Sequence, residues 1–336
     1  MALFKTPRID FVARRWQAFG LSALVVVAGI VVLFTRGGLP LGIDFSGGSL
    51  IVLQFEQPAG EGAVRDALAS VEEKVVQQYG DVGDNEVLVR LPLSGPEVGA
   101  SLEAGANEVV DALRASNLGE FEVISQELVG PVIGQELQRR GINAFVFAMA
   151  GILVYIGLRF RFSFAVGAVV AVVHDIAVTL SLLTFFGYEL SLNVVAAMLT
   201  ITGYSVNDSI VVFDRVRENL RLMRRDTFGH LVNTSINQTL ARTVITSGTT
   251  GFAVLALYVL GGEVLRGFAF TMLVGVLSGT YSTIFVAAMI ALAITERRSA
   301  RVQRTVRAVA EEKPPQQPQQ ETPQRSRRRS RRARAS

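Results

Sequence analysis

Apolar runs of about 20 residues recur along this chain, the length a helix needs to cross a bilayer. They cover residues 17–35, 142–160, 163–186, 190–213, 243–261 and 266–294. The pattern predicts six transmembrane helices. Between the first and second runs it changes. SLIVLQFE (49–56), KVVQQYG (74–80), EVLVRLP (86–92) and EFEVISQEL (120–128) read as strands. Ala63, Val64, Ala67, Leu68 and Val71 recur at helical spacing, as do Val98, Leu102, Val109, Val110 and Leu113. A turn is expected over 81–85. The resulting βαββαβ order is that of the ferredoxin-like, split-βαβ arrangement. The fold class expected is a polytopic α-helical membrane protein with one ferredoxin-like α+β extracytoplasmic domain between helices 1 and 2. The expected organisation is an N-terminus at 1–16, a first helix at 17–35, the α+β domain at 36–140, a five-helix bundle at 141–295 and a basic tail at 296–336.

Composition agrees with the membrane reading. Of 336 residues, 50% are hydrophobic and 18% are charged, against roughly 25% charged in soluble domains. The net charge of +4 hides two opposed parts. The 36–140 block is acidic (Glu56, Glu61, Asp66, Glu72, Glu73, Asp81 and Asp84 among others), and the tail is basic. There is no cysteine, which excludes disulfides, thiol nucleophiles and Cys-ligated metals. Arg8, Arg14 and Arg15 precede the first run. Arg159 and Arg161 follow the second, and Arg215, Arg217, Arg221, Arg224 and Arg225 follow the fourth. By the positive-inside rule both termini are expected to be cytoplasmic and the acidic block outside. The first run is longer than a signal-peptide core, and no A-x-A-like site follows it, so an uncleaved helix is expected. The tail reads as a basic interfacial helix over 296–310. A Pro/Gln-rich and then Arg/Ser-rich stretch follows over 311–336 and is expected to be disordered. It is suited to anionic lipid or ribosomal RNA, or simply holds the C-terminus inside.

Ionisable groups are rare within the runs. Asp175 lies beside His174 in the third, Asp208 beside Asn207 in the inner half of the fourth, and Arg242 opens the fifth. A charged carboxylate at the bilayer centre costs about 2.5–3.5 kcal/mol on insertion scales, so such groups generally mark ion pathways. Tyr204 and Gly203 precede Asp208 by one turn and Thr200 by two. Asn193, Thr200, Asn207 and Asp214 fall seven apart, forming a stripe. Arg242, Thr246, Thr249 and Thr250 line a similar face of the fifth run. Antiparallel neighbours would bring Asp208 and Arg242 within pairing distance, directly or through water. The carboxylate would then be the group that gains and loses a proton, because Arg stays charged. Blander roles stand beside these: Arg242 snorkelling at the interface, Asp214 and Arg215 anchoring there, His174 bonding locally, Asp208 as structural glue. Gly275 and Gly279 form a GxxxG, with Ser278, Thr280 and Ser282 nearby. Gly248 and Gly251 give the fifth run similar small positions, which permit close helix contact.

Four stretches, LGIDFSGGS (41–49), ELVGPVIGQEL (127–137), VVHD (172–175) and GYSVNDSIVVFDRVREN (203–219), together carry a likeness. From about residue 10 to 295 the chain resembles the SecF family of the bacterial SecDF protein-export complex, within the resistance–nodulation–division superfamily. The resemblance implies an inner-membrane subunit, not an enzyme, that pairs with a separately encoded SecD and works with the SecYEG channel. It would use the proton-motive force to promote preprotein translocation. It also implies YajC as a partner, contact with the translocating preprotein, and no cofactor beyond protons as coupling ion. Asp208 and Arg242 match the family's proton pathway, with Asp175 and Asn207 beside them. Thr200, Tyr204 and Thr246 supply the supporting polar face, and no metal is implied. Two alternatives remain at this point: an intramembrane aspartyl protease using Asp175 and Asp208, and a stand-alone exporter of the same superfamily.

Overall fold

A computed structural model describes residues 7–71, 74–80, 83–91 and 100–312. Glu72, Glu73, Asp81, Val98 and the 313–336 tail, all used above, lie outside the described residues. The elements in chain order are α1 (Arg15–Thr35), α2 (Ile43–Ser46), β1 (Gly48–Phe55), α3 (Glu61–Ala67), β2 (Val75–Tyr79), β3 (Glu86–Leu91), α4 (Ala100–Arg114) and β4 (Phe121–Val129). They continue with α5 (Pro131–Arg159), α6 (Phe162–Phe186), α7 (Leu192–Leu222), α8 (Phe228–Leu260), α9 (Glu263–Ser282), a π-helical turn (Thr283–Ala287) and α10 (Ala288–Glu312). Among the described residues six helical segments are long and apolar enough to cross a membrane, the last running from Val264 to Arg304.

The inserted domain is the expected α+β fold. Its four strands run in the order β2-β3-β1-β4, with every neighbouring pair antiparallel. β1 and β2 therefore run parallel with β3 between them, the split-βαβ pattern. β1 is central, and its side chains are buried on both faces except at Leu50 and Gln54. The domain core gathers Ile51, Leu53 and Phe55 of β1, Val87 and Val89 of β3, and Val109 and Leu113 of α4. α3 is shorter than its apolar spacing predicts. It ends at Ala67, with Val64 and Leu68 buried against the sheet and Ala63 exposed.

Gly47 and Gly48 turn the chain from α2 into β1 at φ +72° and +125°, conformations that a side chain strongly disfavours. Gly47 is also approached closely. A Cβ on Gly134 of α5 would lie 3.1 Å from the Gly47 nitrogen. This corner joins the domain to the loop between α6 and α7. Gly42 N–H donates to Leu190 O at 2.9 Å, and Leu190 N–H to Pro40 O at 2.7 Å. Asp44 accepts from the Leu192 N–H at 2.8 Å, which caps the start of α7 together with Ser191. Arg90 of β3 pairs with Glu189 at 2.7 Å and donates to Leu41 O at 3.1 Å.

The fifth membrane helix departs from expectation. α8 begins at Phe228 rather than near 243 because residues 228–242 are amphipathic: Leu231, Val232 and Ile236 are buried while polar groups alternate with them. Thr227 caps it by accepting from the His230 N–H at 3.3 Å. Arg242 therefore lies inside a 33-residue helix and does not open it. The chain before α1 is strapped to this helix. Asn237 accepts from Ile9 N–H, and Asn233 from Phe11 N–H, both at 2.9 Å.

Candidate functional site

Asp175, on α6, is 2% exposed and fully engaged. It accepts from Ser278 and Ser205 at 2.6 Å each and from Ser282 at 2.7 Å. These are short hydroxyl–carboxylate bonds, among the stronger kinds. Ser278 and Ser282 lie four apart on α9, so one face of that helix presents both to α6. His174 extends the network. Its Nδ1 lies 3.2 Å from Asp175 and its Nε2 2.9 Å from Ser22 of α1. Ser22 meets Tyr281 at 3.0 Å, and Tyr281 donates to Ala18 O at 2.6 Å.

Asp208, on α7, is as deeply buried, at 4% exposed, yet sparsely held. Among the described residues its one hydrogen bond is a long one from Ser247 of α8, at 3.5 Å. Ser247 itself accepts from Thr280 at 2.6 Å and from Tyr204 at 3.3 Å, which leaves its own hydrogen for Asp208. α9 thus serves both acids. Ser278 and Ser282 turn to Asp175, and Thr280, between them, turns to the Asp208 side. Close approach of α9 and α7 makes this possible. A Cβ on Gly275 would collide with Ile201, and one on Gly279 would come within 3.0 Å of Ser205. Gly248 and Gly251, by contrast, have nothing within 4 Å and do not mediate a helix contact.

The expected polar face separates into parts. Asp208 and Tyr204 converge on Ser247. Thr200 and Asn207 are exposed on the outward side of α7, since consecutive helical residues point about 100° apart. Thr200 Oγ1 donates to its own helix at Ala196 O, 2.9 Å away. Thr246 donates to Arg242 O and Thr243 O, each at 3.0 Å. Arg242 is exposed. Among the described residues no ion pair joins it to Asp208. Of the two expected routes, direct or through water, the direct pair is not made among the described residues, and Ser247, five residues further along α8, meets the carboxylate. Asp214 meets Arg159 at 3.4 Å. No hydrogen bond links Asp175 to Asp208 among the described residues, so the shared-proton geometry of an aspartyl dyad is missing.

Sequence reasoning passed over Ser22, Ser205, Ser247 and Tyr281. It valued Ser278 and Ser282 only as small residues. Their four-residue spacing opposite a buried acid is the signal that would have found them.

Residues 109–297 match the family model "Protein export membrane protein SecD/SecF, C-terminal", and residues 31–59 match the SecD/SecF GG motif. The chain is 41% identical over 307 residues to the protein translocase subunit SecF of Escherichia coli O157:H7, covering 91% of this chain and 94% of that one. The chain belongs to the SecF family. Its resemblance to SecF of Pseudomonas aeruginosa is of the same order, 43% identity over 285 residues, with 84% of this chain and 90% of that one covered. Among solved structures, SecDF from Thermus thermophilus superposes with a TM-score of 0.76 at 36% identity. That match covers 88% of this SecF chain but 40% of the longer SecDF chain. The GG-motif match contains the 47–48 corner described above, and the C-terminal match over 109–297 spans both buried acids.

Proposed function

We propose that this chain is the SecF subunit of a bacterial inner-membrane protein translocase. It acts with SecD and the SecYEG channel, with YajC as a further partner, and uses the proton-motive force to promote preprotein movement. Asp208 is the group that takes up and releases the proton. The observation that carries this reading is its environment: a buried carboxylate with, among the described residues, a single long hydrogen bond and no ion-pair partner. A proton falling through about 100 mV releases roughly 2.3 kcal/mol, enough to alter so sparse an arrangement.

The exposed polar positions of α7 and α8 (Thr200, Asn207, Arg242 and Thr249) support a partner on that side, because polar groups facing lipid carry a penalty. SecD is that partner. Arg242, which enters no ion pair among the described residues, is placed to answer each change of charge on Asp208. α7 carries the consequence outward, since its first N–H is held by Asp44 and the loop just before it is bonded through Leu190 to Pro40 and Gly42. The domain that reaches the emerging preprotein is thus tied to the helix that bears the acid. The arginine distribution supports cytoplasmic termini.

The test is reconstitution of this chain with SecD and the channel in vesicles, with and without an imposed proton gradient. Asp208→Asn removes the gradient-stimulated part of export and leaves co-purification with SecD unchanged. Arg242→Met lowers it partially. Full gradient stimulation in Asp208→Asn would overturn the assignment.

A further inference from the structure

At one membrane end of the bundle, the short junction between α5 and α6 faces the last turns of α7. A cavity of about 530 Å³ opens there. Four arginines line it: Arg159 and Arg161 from the junction, Arg217 and Arg221 from α7. Its floor is aromatic, with Phe164 and Phe213 packed at 4.9 Å between ring centres. Asp214 pairs with Arg159 at 3.4 Å. Among the described residues Arg161, Arg217 and Arg221 enter no ion pair.

Two features make this arrangement unusual for a purely structural cluster. Arg217 and Arg221 sit four apart on one helix, where like charges repel. α6, 25 residues long, starts at Phe162 with Arg161 as its N-cap, and no side chain caps it. The positive end of that helix adds to the positive charge of the arginines. Asp214 offsets Arg159, but among the described residues no carboxylate pairs with Arg161, Arg217 or Arg221, an arrangement suited to an anion. The surroundings narrow the anion further. Beside the arginines, Leu158 is 86% and Phe162 72% exposed. They place bare apolar surface next to the charge. An amphiphile satisfies both features together. An inorganic ion satisfies only the first.

We infer that this cavity seats the phosphate headgroup of an anionic phospholipid, with its acyl chains against Leu158 and Phe162. Three unpaired guanidinium groups suit a headgroup with two phosphates better than one with a single phosphate, since Arg recognises each phosphate through paired N–H donors. Basic pockets between membrane helices are established seats for such headgroups. The inference is independent of Asp208 and of proton coupling, and rests only on the chain being embedded in a membrane.

The test uses the full chain in nanodiscs or detergent, titrated with cardiolipin, phosphatidylglycerol, phosphatidylethanolamine and inorganic phosphate. Bound lipid is counted by native mass spectrometry. Cardiolipin should bind most tightly, phosphatidylglycerol less, and phosphatidylethanolamine and free phosphate negligibly. Arg217→Gln combined with Arg221→Gln should weaken cardiolipin at least about tenfold, and Arg161→Gln alone should weaken it measurably. Arg224→Gln combined with Arg225→Gln removes the same charge three residues beyond the last arginine of the cavity and should leave binding intact. Equal losses in both double variants would reduce the effect to general surface charge and overturn the proposal. So would wild-type lipid binding in the Arg217/Arg221 variant. Free phosphate binding as strongly as lipid would sink the lipid assignment. Displacement of bound lipid by an acidic partner segment under co-purification would transfer the site to a protein and equally overturn it.

Discussion

The two buried acids differ in their surroundings more than in their burial. Asp175 accepts three short hydroxyl bonds from two other helices. Asp208, almost equally hidden, has one long bond from one helix. A buried group with its partners in place is fixed by them, and a buried group without them is costly and therefore responsive. The comparison teaches that depth alone does not mark a working carboxylate. The number and length of its hydrogen bonds separate the acid that locks α6, α7 and α9 together from the acid free to change.

The most severe way to sharpen this contrast is Asp208→Asn, which should abolish gradient-stimulated export while leaving the thermal stability of the purified subunit near that of wild type. A large fall in melting temperature would instead make Asp208 the lock. Next comes the helix contact on which both sites depend. Gly279→Leu forces a side chain onto Ser205 and should cost about 1–3 kcal/mol, read from unfolding in detergent. Gly248→Leu, at a position with nothing within 4 Å, should change stability little. Equal effects of the two substitutions would mean that α9 and α7 do not meet as described. Smaller still, Ser278→Ala and Ser282→Ala should each lower stability by about 1 kcal/mol. Ser247→Ala, which removes only a long bond, should cost less than about 0.5 kcal/mol. A reversed order would break the contrast.

The smallest effect concerns a carboxylate outside the membrane spans. Burial raises Glu189 above its ordinary value of 4.5, and Arg90 draws it back only in part. The folded chain therefore holds this proton to higher pH than the unfolded chain does. The stabilisation is complete below about pH 4.5 and is lost as pH rises through the raised value. Glu189→Gln should match wild type in acid and gain on it towards neutrality, by under about 1 kcal/mol given the partial exposure of the pair. Unfolding measured across that range reads the sign directly. Wild type gaining instead would show that Arg90 dominates.

Much of this was legible in the sequence because hydrophobic period reports on burial. The strand alternation of 86–92 and 120–128 and the six apolar runs each met a clear physical demand. Asp175 and Asp208 stood out for the same reason, as charges where charge is expensive. The hydroxyls that distinguish them did not stand out. Serine and threonine in apolar helices satisfy their own backbones, as Thr200 does with Ala196, so their types carry little information until neighbouring helices are placed. Which residue of α8 meets Asp208, Ser247 rather than the Arg242 guanidinium directly, depends on the rotation of one helix against the other, which spacing within a helix does not report. The early start of α8 was hidden because amphipathic residues 228–242 lower the apolar average that marks a span.

The π-helical turn at Thr283–Ala287 adds one residue to a single coil of the final span. Such a surplus can pass along a helix by exchanging one backbone partner at a time, without unwinding the whole. It begins just after Ser282, which holds Asp175, and includes Thr283, which meets Ser209 at 3.1 Å. Moving the wider coil by a single position would re-aim the one side chain it passes by roughly 100° around the axis. The last span thereby carries a dial between its two faces, able to reassign donors while its ends stay in place.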